Sequence, residues 1–240
     1  MIIIRGNSGC SVEICDRLSK KIVKKSSSDP SYYHRLQNQC KKQDQAFLKN
    51  ELEFVEIPKI LCSEFSFKED VCYFEMDFCR SLDCITFFHR CSIEEVAFLI
   101  SSITGFIDKT IVDSKFSKFD KGIFISKYDS VKDNLANSEF FKDISERFLK
   151  IDKIFSSLEE KMLPVGFCHG DLTLSNVLIK QKSKKICLID FLDTFLESPI
   201  QDMVKVRQDT KYMWSLNLYP ASVDLTKVSI IFDYIDRKVD

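Results

Sequence analysis

Asp171, Asn176 and Asp190 are the residues of this sequence whose types and spacing could do chemistry. Asn176 lies five residues beyond Asp171, and Asp190 follows after a polar, hairpin-like segment. A carboxylate, an amide and a second carboxylate in that order suit phosphoryl transfer. One carboxylate accepts the proton of an attacking hydroxyl, while the amide oxygen and the other carboxylate hold Mg2+ on the phosphates of a nucleotide. On this pattern Asp171 is the candidate base, and Asn176 and Asp190 are the candidate metal ligands.

Around them stand three ordered elements: His169-Gly170-Asp171 leading to Asn176, then Ile189-Asp190-Phe191, then Glu197-Ser198-Pro199-Ile200-Gln201-Asp202. An H-G-D triplet alone is a common turn, and an I-D-F triplet alone can end a strand. The ordered set is far more specific. H-G-D-x-x-x-x-N followed by I-D-F resembles the aminoglycoside phosphotransferase and choline kinase superfamily, whose fold is protein-kinase-like. The third element is similar to that family's G-D-P-x-x-D, with its first two positions changed. The resemblance is carried by Gly166 to Asp202. It implies transfer of the γ-phosphate of ATP or GTP to a hydroxyl of a small molecule, with Mg2+ as cofactor. It also implies that Asp202, with His169, braces the catalytic loop. Asp202 precedes Met203-Val204 and an expected helix, which makes it an N-cap candidate as well.

The nucleotide phosphates need a cover and a cation. Gly6-Asn7-Ser8-Gly9 lies between two strand-like runs and fits a hairpin whose backbone N–H groups can approach phosphate, with Gly6, Ser8 and Gly9 as the contacts. It resembles a reduced glycine-rich loop. Lys24, after Ile22-Val23, matches the hydrophobic-hydrophobic-Lys of the family's third strand, with Lys21 and Lys25 as neighbours. Protein kinases hold that lysine with a helix Glu, but the helix expected over Ser31–Asn50 has none before Glu51. Gln39, Gln43 or Asp44 could substitute. Phe74-Glu75-Met76-Asp77-Phe78 reads as a strand entering the lobe connection, where the resemblance implies that the backbone at Met76 and Phe78 meets the purine.

These residues must be held by two unequal lobes. Short β-like runs dominate the first third: the apolar MIIIR, the alternating Val12 and Ile14, the segment with Ile22 and Val23, and two runs near Ile57–Phe67 and Val71–Phe78. Ser28-Asp29-Pro30 reads as a turn and helix start. Helical periodicity then covers Ile93 to Glu160, with a loop around Lys115–Lys121. Asn176–Ile179 and Ile186–Ile189 flank a polar turn as in a hairpin, and Met203 to Asp240 reads as helix, turn at Pro220, helix. The expected fold is α+β and protein-kinase-like, with an N-lobe over residues 1–78 and a C-lobe over 79–240.

Composition sets the outer limits. The 240 residues are 45% hydrophobic and 30% charged, with a formal net charge of −1. No global field recruits nucleic acid or a membrane surface, so neither is an expected partner. The ten cysteines are scattered without a C-x-x-C pair, and no apolar stretch is long enough to span a bilayer. A cytoplasmic protein with reduced thiols is the expectation. Two alternatives stay open: a nucleotide-binding pseudokinase or scaffold that has lost transfer, and a protein kinase. Against the latter, there is no A-P-E element, and Asp202 follows Asp190 by only twelve residues. Beyond Asp202 come Lys205, Arg207 and Lys211, opposed by Asp209, then Tyr212, Trp214 and Tyr219. A cationic rim repels a polycation. The expected acceptor is therefore a neutral or anionic hydroxyl compound such as a sugar.

Overall fold

The computed structural model describes residues 2–5, 9–66, 71–118, 120–136, 138, 141–157, 161–218 and 224–239. Strands β1 (Ile2–Arg5), β2 (Ser11–Arg17) and β3 (Lys20–Ser26) form a meander. Helix α1 (Tyr33–Lys49) follows, and then β4 (Val55–Glu56), β5 (Ile60–Ser66) and β6 (Val71–Asp77). Five of these strands make one antiparallel sheet in the order β1-β2-β3-β6-β5. The α+β, kinase-like expectation holds here.

Entry into α1 is written locally. Pro30 opens a short 3-10 turn, and Asp29 accepts a hydrogen bond from the Ser31 N–H at 2.9 Å. The helix buries Tyr33, Leu36 and Cys40 against Cys72, Phe74 and Met76 of β6, which fixes it across one face of the sheet. Phe47, in phase with that stripe, lies at its edge and is partly exposed.

The connection after β6 reaches α2 (Cys84–Arg90), whose N-cap is Asp83. The rest comprises α3 (Ile93–Val112), β7 (Lys115–Lys118), α4 (Lys121–Ala136), α5 (Phe141–Ser156) and β8 (Met162–Val165), then β9 (Val177–Lys180), β10 (Lys185–Leu188), α6 (Pro199–Tyr212) and α7 (Leu225–Val239). Ser92 and Glu95 close a reciprocal capping box at the start of α3. Helices α2, α3, α6 and α7 share one core with β9 and β10 that includes Phe88, Leu99, Val177, Leu188, Val206 and Phe232.

Three departures from the sequence reading have simple causes. Residues 115–118 are a strand, because β7 finds β8 as an antiparallel partner far along the chain. β4 leaves the N-lobe sheet and pairs in parallel with β10, tying the lobes together. Helix α6 begins at Pro199 rather than near Met203. Ser198 is its N-cap, accepting from the Ile200 N–H at 3.2 Å, and proline occupies the first turn. Asp202 is therefore a first-turn residue, not the cap. The turn expected at Pro220 lies outside the described residues.

Candidate active site

Gly170 explains why the loop between β8 and β9 reads H-G-D. Its φ is 87°, and a Cβ there would stand 1.9 Å from the Leu192 carbonyl oxygen. Only glycine allows the two segments to cross that closely. The crossing is pinned by the Leu192 N–H donating to the His169 carbonyl at 2.9 Å and the Ile189 N–H donating to the Asn176 carbonyl at 3.1 Å. Between those two bonds Asp190 takes a φ of 67°. A non-glycine residue enters this left-handed region at a cost of about 1–2 kcal/mol.

Asp171, Asn176 and Asp190 converge through these bonds. The Asn176 amide NH2 donates to the Asp171 carbonyl at 2.8 Å and to its Oδ2 at 3.1 Å. That leaves Asn176 Oδ1 as the acceptor, a hard oxygen on the residue whose carbonyl is bonded by the N–H next to Asp190. This donor set fits Mg2+. A bound Mg2+ would neutralise phosphate charge there.

Helix α6 holds the loop from below with two buried carboxylates. Asp202 accepts from the His169 N–H at 2.7 Å and the Gly170 N–H at 2.8 Å. Asp209, seven residues on and so on the same helical face, accepts from the Leu174 N–H and the Ser215 N–H, both at 2.5 Å. Ser215 Oγ in turn accepts from the Ser175 N–H at 2.9 Å. Both ends of the loop are thus gripped by one helix. The sequence reading took Asp209 for a counter-charge in a basic rim. Its spacing from Asp202 was the available signal.

His169 is fully buried. One ring nitrogen, Nδ1, accepts from the Asp171 N–H at 3.2 Å, so Nε2 carries the proton and donates to the Ile189 carbonyl at 2.8 Å. Burial drives the imidazole down to about 4 from 6.5. Burial also pushes Asp202 up to about 7 from 3.8, against the two backbone N–H groups that pull it down. The depressed His169 contributes stability above pH 6.5, lost as pH falls towards 4. The raised Asp202 contributes below pH 3.8, lost as pH rises through 7. Between pH 4 and 6.5 the two slopes oppose each other. Asp202→Asn should leave His169 unopposed, so that stability falls by up to about 3 kcal/mol on acidification through that window. Denaturant melts at several pH values check this. A profile as flat as the wild type's contradicts it.

Of the neighbouring lysines, Lys25 rather than Lys24 reaches the candidate site. Lys25, 4% exposed, pairs with the Asp190 carboxylate. Lys24 points the other way, its Nζ 4.4 Å from the centre of the Tyr73 ring. Successive strand residues face opposite sides. Lys25 shares the inner face with Val23, through its register with Phe74 and Met76. The run of adjacent lysines hid that one-residue choice.

Among the described residues Lys25 pairs with Asp190 and not with Asp44, the acid of helix α1, and the helix's glutamines are engaged elsewhere. Gln39 donates to the Tyr32 hydroxyl at 3.0 Å and Gln43 to the Pro58 carbonyl at 2.9 Å. The helix offers a cation instead. Buried Lys42 reaches across to both carboxylate oxygens of Glu197, at 2.9 and 2.7 Å, and to the Leu192 carbonyl at 2.6 Å. Glu197 occupies the first altered position of the family's third element, so that departure has a structural use. A pair 155 residues apart leaves no sequence signal.

Gly6 and Ser8 lie outside the described residues. Gly9 has a φ of 51°, and its carbonyl accepts from the Ser27 hydroxyl at 2.8 Å. Met76 sits within the ladder between Val23 and Ile60, its side chain in the N-lobe core. The backbone free of the sheet begins beyond Asp77, at half-buried Phe78. Arg207 and Lys211 do not face the site. They pair with Asp236 of α7, at 3.3 and 2.5 Å. Tyr212 and Trp214 are exposed at the C-terminal end of α6, and Tyr219 lies outside the described residues.

A cleft of about 650 Å³ opens beside Asp171. Its walls include Arg35 of α1, Lys127 of α4, Lys205 of α6 and Asp193. Elsewhere, Glu56, Cys79 and Cys187 bring ligand atoms within 4.8 Å of one another, and Lys180 Nζ lies 2.6 Å from both Glu56 oxygens. No disulfide joins the ten cysteines.

Comparison with known proteins agrees with this fold. A family model described as "Phosphotransferase enzyme family" matches residues 128–219. No curated protein matches in sequence. Among solved structures, a thermostable mutant of aminoglycoside phosphotransferase APH(4)-Ia in its apo form superposes with a TM-score of 0.61 at 11% identity, covering 99% of this chain and 86% of the other. The ternary complex of such a mutant with AMP-PNP and hygromycin B gives 0.59 at 12%, covering 98% and 84%. Spectinomycin phosphotransferase APH(9)-Ia with ADP and spectinomycin gives 0.52 at 12%, covering 99% and 80%. The solved structures show a protein-kinase-like fold, and the phosphotransferase family model matches the segment that carries Asp171, Asn176 and Asp190.

Proposed function

We propose that this protein transfers the γ-phosphate of ATP or GTP to a hydroxyl of a small molecule, a sugar or related alcohol. The observation that carries this is the cross-bonded pair of Asp171 and Asn176, held beside Asp190 by the Ile189–Asn176 backbone bond. Those groups supply a base and two hard-oxygen ligands at one point of the interlobe cleft. In this reading Asp171 takes the acceptor's proton, Asn176 and Asp190 hold Mg2+, and Lys25 turns from Asp190 to the nucleotide phosphates. Similar proteins solved with AMP-PNP or ADP support nucleotide use.

Arg35 and Lys127 at the cleft, opposed by Asp193, favour a neutral or anionic acceptor over a polycation, while Lys205 is paired with Asp171. They take over that argument from Arg207 and Lys211, which pair with Asp236 of α7. No helix among the described residues is long and apolar enough to cross a membrane, and we place the reaction in the cytoplasm. The test is nucleotide consumption by the purified protein with a panel of neutral and acidic sugars, polyols, choline and kanamycin-type amines. Turnover of a neutral or acidic sugar supports the reading. Efficient turnover of a polyamine sugar overturns the acceptor class, and nucleotide binding without transfer to any alcohol favours a pseudokinase.

A further inference from the structure

Helix α6 presents three charged side chains to the catalytic loop, at positions 202, 205 and 209. The two acids meet backbone N–H groups, as described. Lys205 meets the carboxylate between them: its Nζ stands 3.0 Å from Asp171 Oδ1, with the two side chains 27% and 25% exposed. Each helix charge faces the loop group of opposite sign. Lys205 also lines the cleft with Gly170, Asp171 and Gln201, so its ammonium borders the space in which an acceptor would meet the nucleotide.

We propose that Lys205 is a catalytic residue that stabilises charge on the phosphoryl group in flight. This rests on the phosphotransferase reading above. A base must lie within about 2.6–3.2 Å of the acceptor oxygen, and that oxygen attacks phosphorus from about 3–3.5 Å. An ammonium on the same carboxylate is then within reach of a phosphoryl oxygen. It has three N–H donors, of which Asp171 uses one. In the step itself the acceptor oxygen bonds to the γ-phosphorus, and the bond to the β–γ bridging oxygen breaks. The electron pair stays on the nucleoside diphosphate, and the hydroxyl proton passes to Asp171. Lys205 keeps all its protons and bonds the equatorial oxygens, where charge is spread in the transition state.

A ligand that mimics the transferring group tests this without knowledge of the acceptor. Titrations would measure binding of MgADP and MgGDP with and without aluminium fluoride, to wild type, Lys205→Met and Lys205→Arg. The wild type should gain about 100-fold or more in affinity on adding fluoroaluminate. Lys205→Met should lose about tenfold or more of that gain while its affinity for the diphosphate alone changes less than about threefold, and Lys205→Arg should restore part of it. A merely structural lysine would lower both affinities together or neither, and either result overturns the inference. So does a wild type that binds diphosphate but gains nothing from fluoroaluminate. A wild type that binds no nucleotide overturns the underlying reading instead. If Lys205→Met fails to fold, Lys205→Gln carries the same comparison.

Discussion

Asp171→Ala should lower phosphoryl transfer by about 10²–10⁴-fold, the usual share of general-base catalysis. Nucleotide affinity should stay near that of the wild type. The structure gives the reason for the split: Asp171 touches Asn176 and Lys205 but not the Lys25–Asp190 pair, which in the proposed reading faces the phosphates. Steady-state kinetics on the acceptor found in the panel, combined with nucleotide titration, checks both halves. Turnover close to wild type would remove Asp171 from the role of base.

Gly170→Ala should cost the fold as well as the reaction. The added methyl would meet the Leu192 carbonyl oxygen at 1.9 Å and the Thr194 methyl at 2.9 Å, at a φ of 87°. Backbone, not a flexible side chain, is the obstacle, so relief requires the loop after Asp190 to move. That loop carries the Leu192 carbonyl bonded by Lys42, and Leu192 N–H also anchors His169. Strain at such a position is worth about 1–3 kcal/mol, and a loss near the upper end lowers the melting temperature by roughly 6–12 °C in a chain of this size. Activity should fall further, because the same shift separates Asp171 from Asp190. A variant with unchanged melting temperature and turnover would contradict this packing.

The parts of the site that the sequence displayed are those built from short-range patterns. Asp171 and Asn176 share one loop, and the Gly170 between His169 and Asp171 is demanded by a local φ. The β9–β10 hairpin that carries Asp190 back to them was visible as two apolar runs around a polar turn. What stayed hidden was set by tertiary pairing. The choice of Lys25 over Lys24 depends on which face of β3 meets α1, and four neighbouring lysines cannot report that. Lys42 and Glu197 lie far apart in the chain and look like ordinary surface charges until the lobes close on them. Arg207 and Lys211 looked like an acceptor rim because their partner, Asp236, lies on a different helix. Asp202 was legible as a brace but misplaced as a cap, since Ser198-Pro199 starts the helix a turn earlier.

In the proposed function Asn176 and Asp190 hold a magnesium-bound nucleotide beside Asp171. Calorimetric titration with MgATP and MgGTP, repeated on Asp190→Ala and in the presence of a chelator, tests it most directly. The wild type should bind at least one of the two nucleotides in a magnesium-dependent manner, and Asp190→Ala should weaken that binding by about tenfold or more, in line with loss of a metal-site contact. Equal affinity in wild type and Asp190→Ala, or binding indifferent to the chelator, would contradict it.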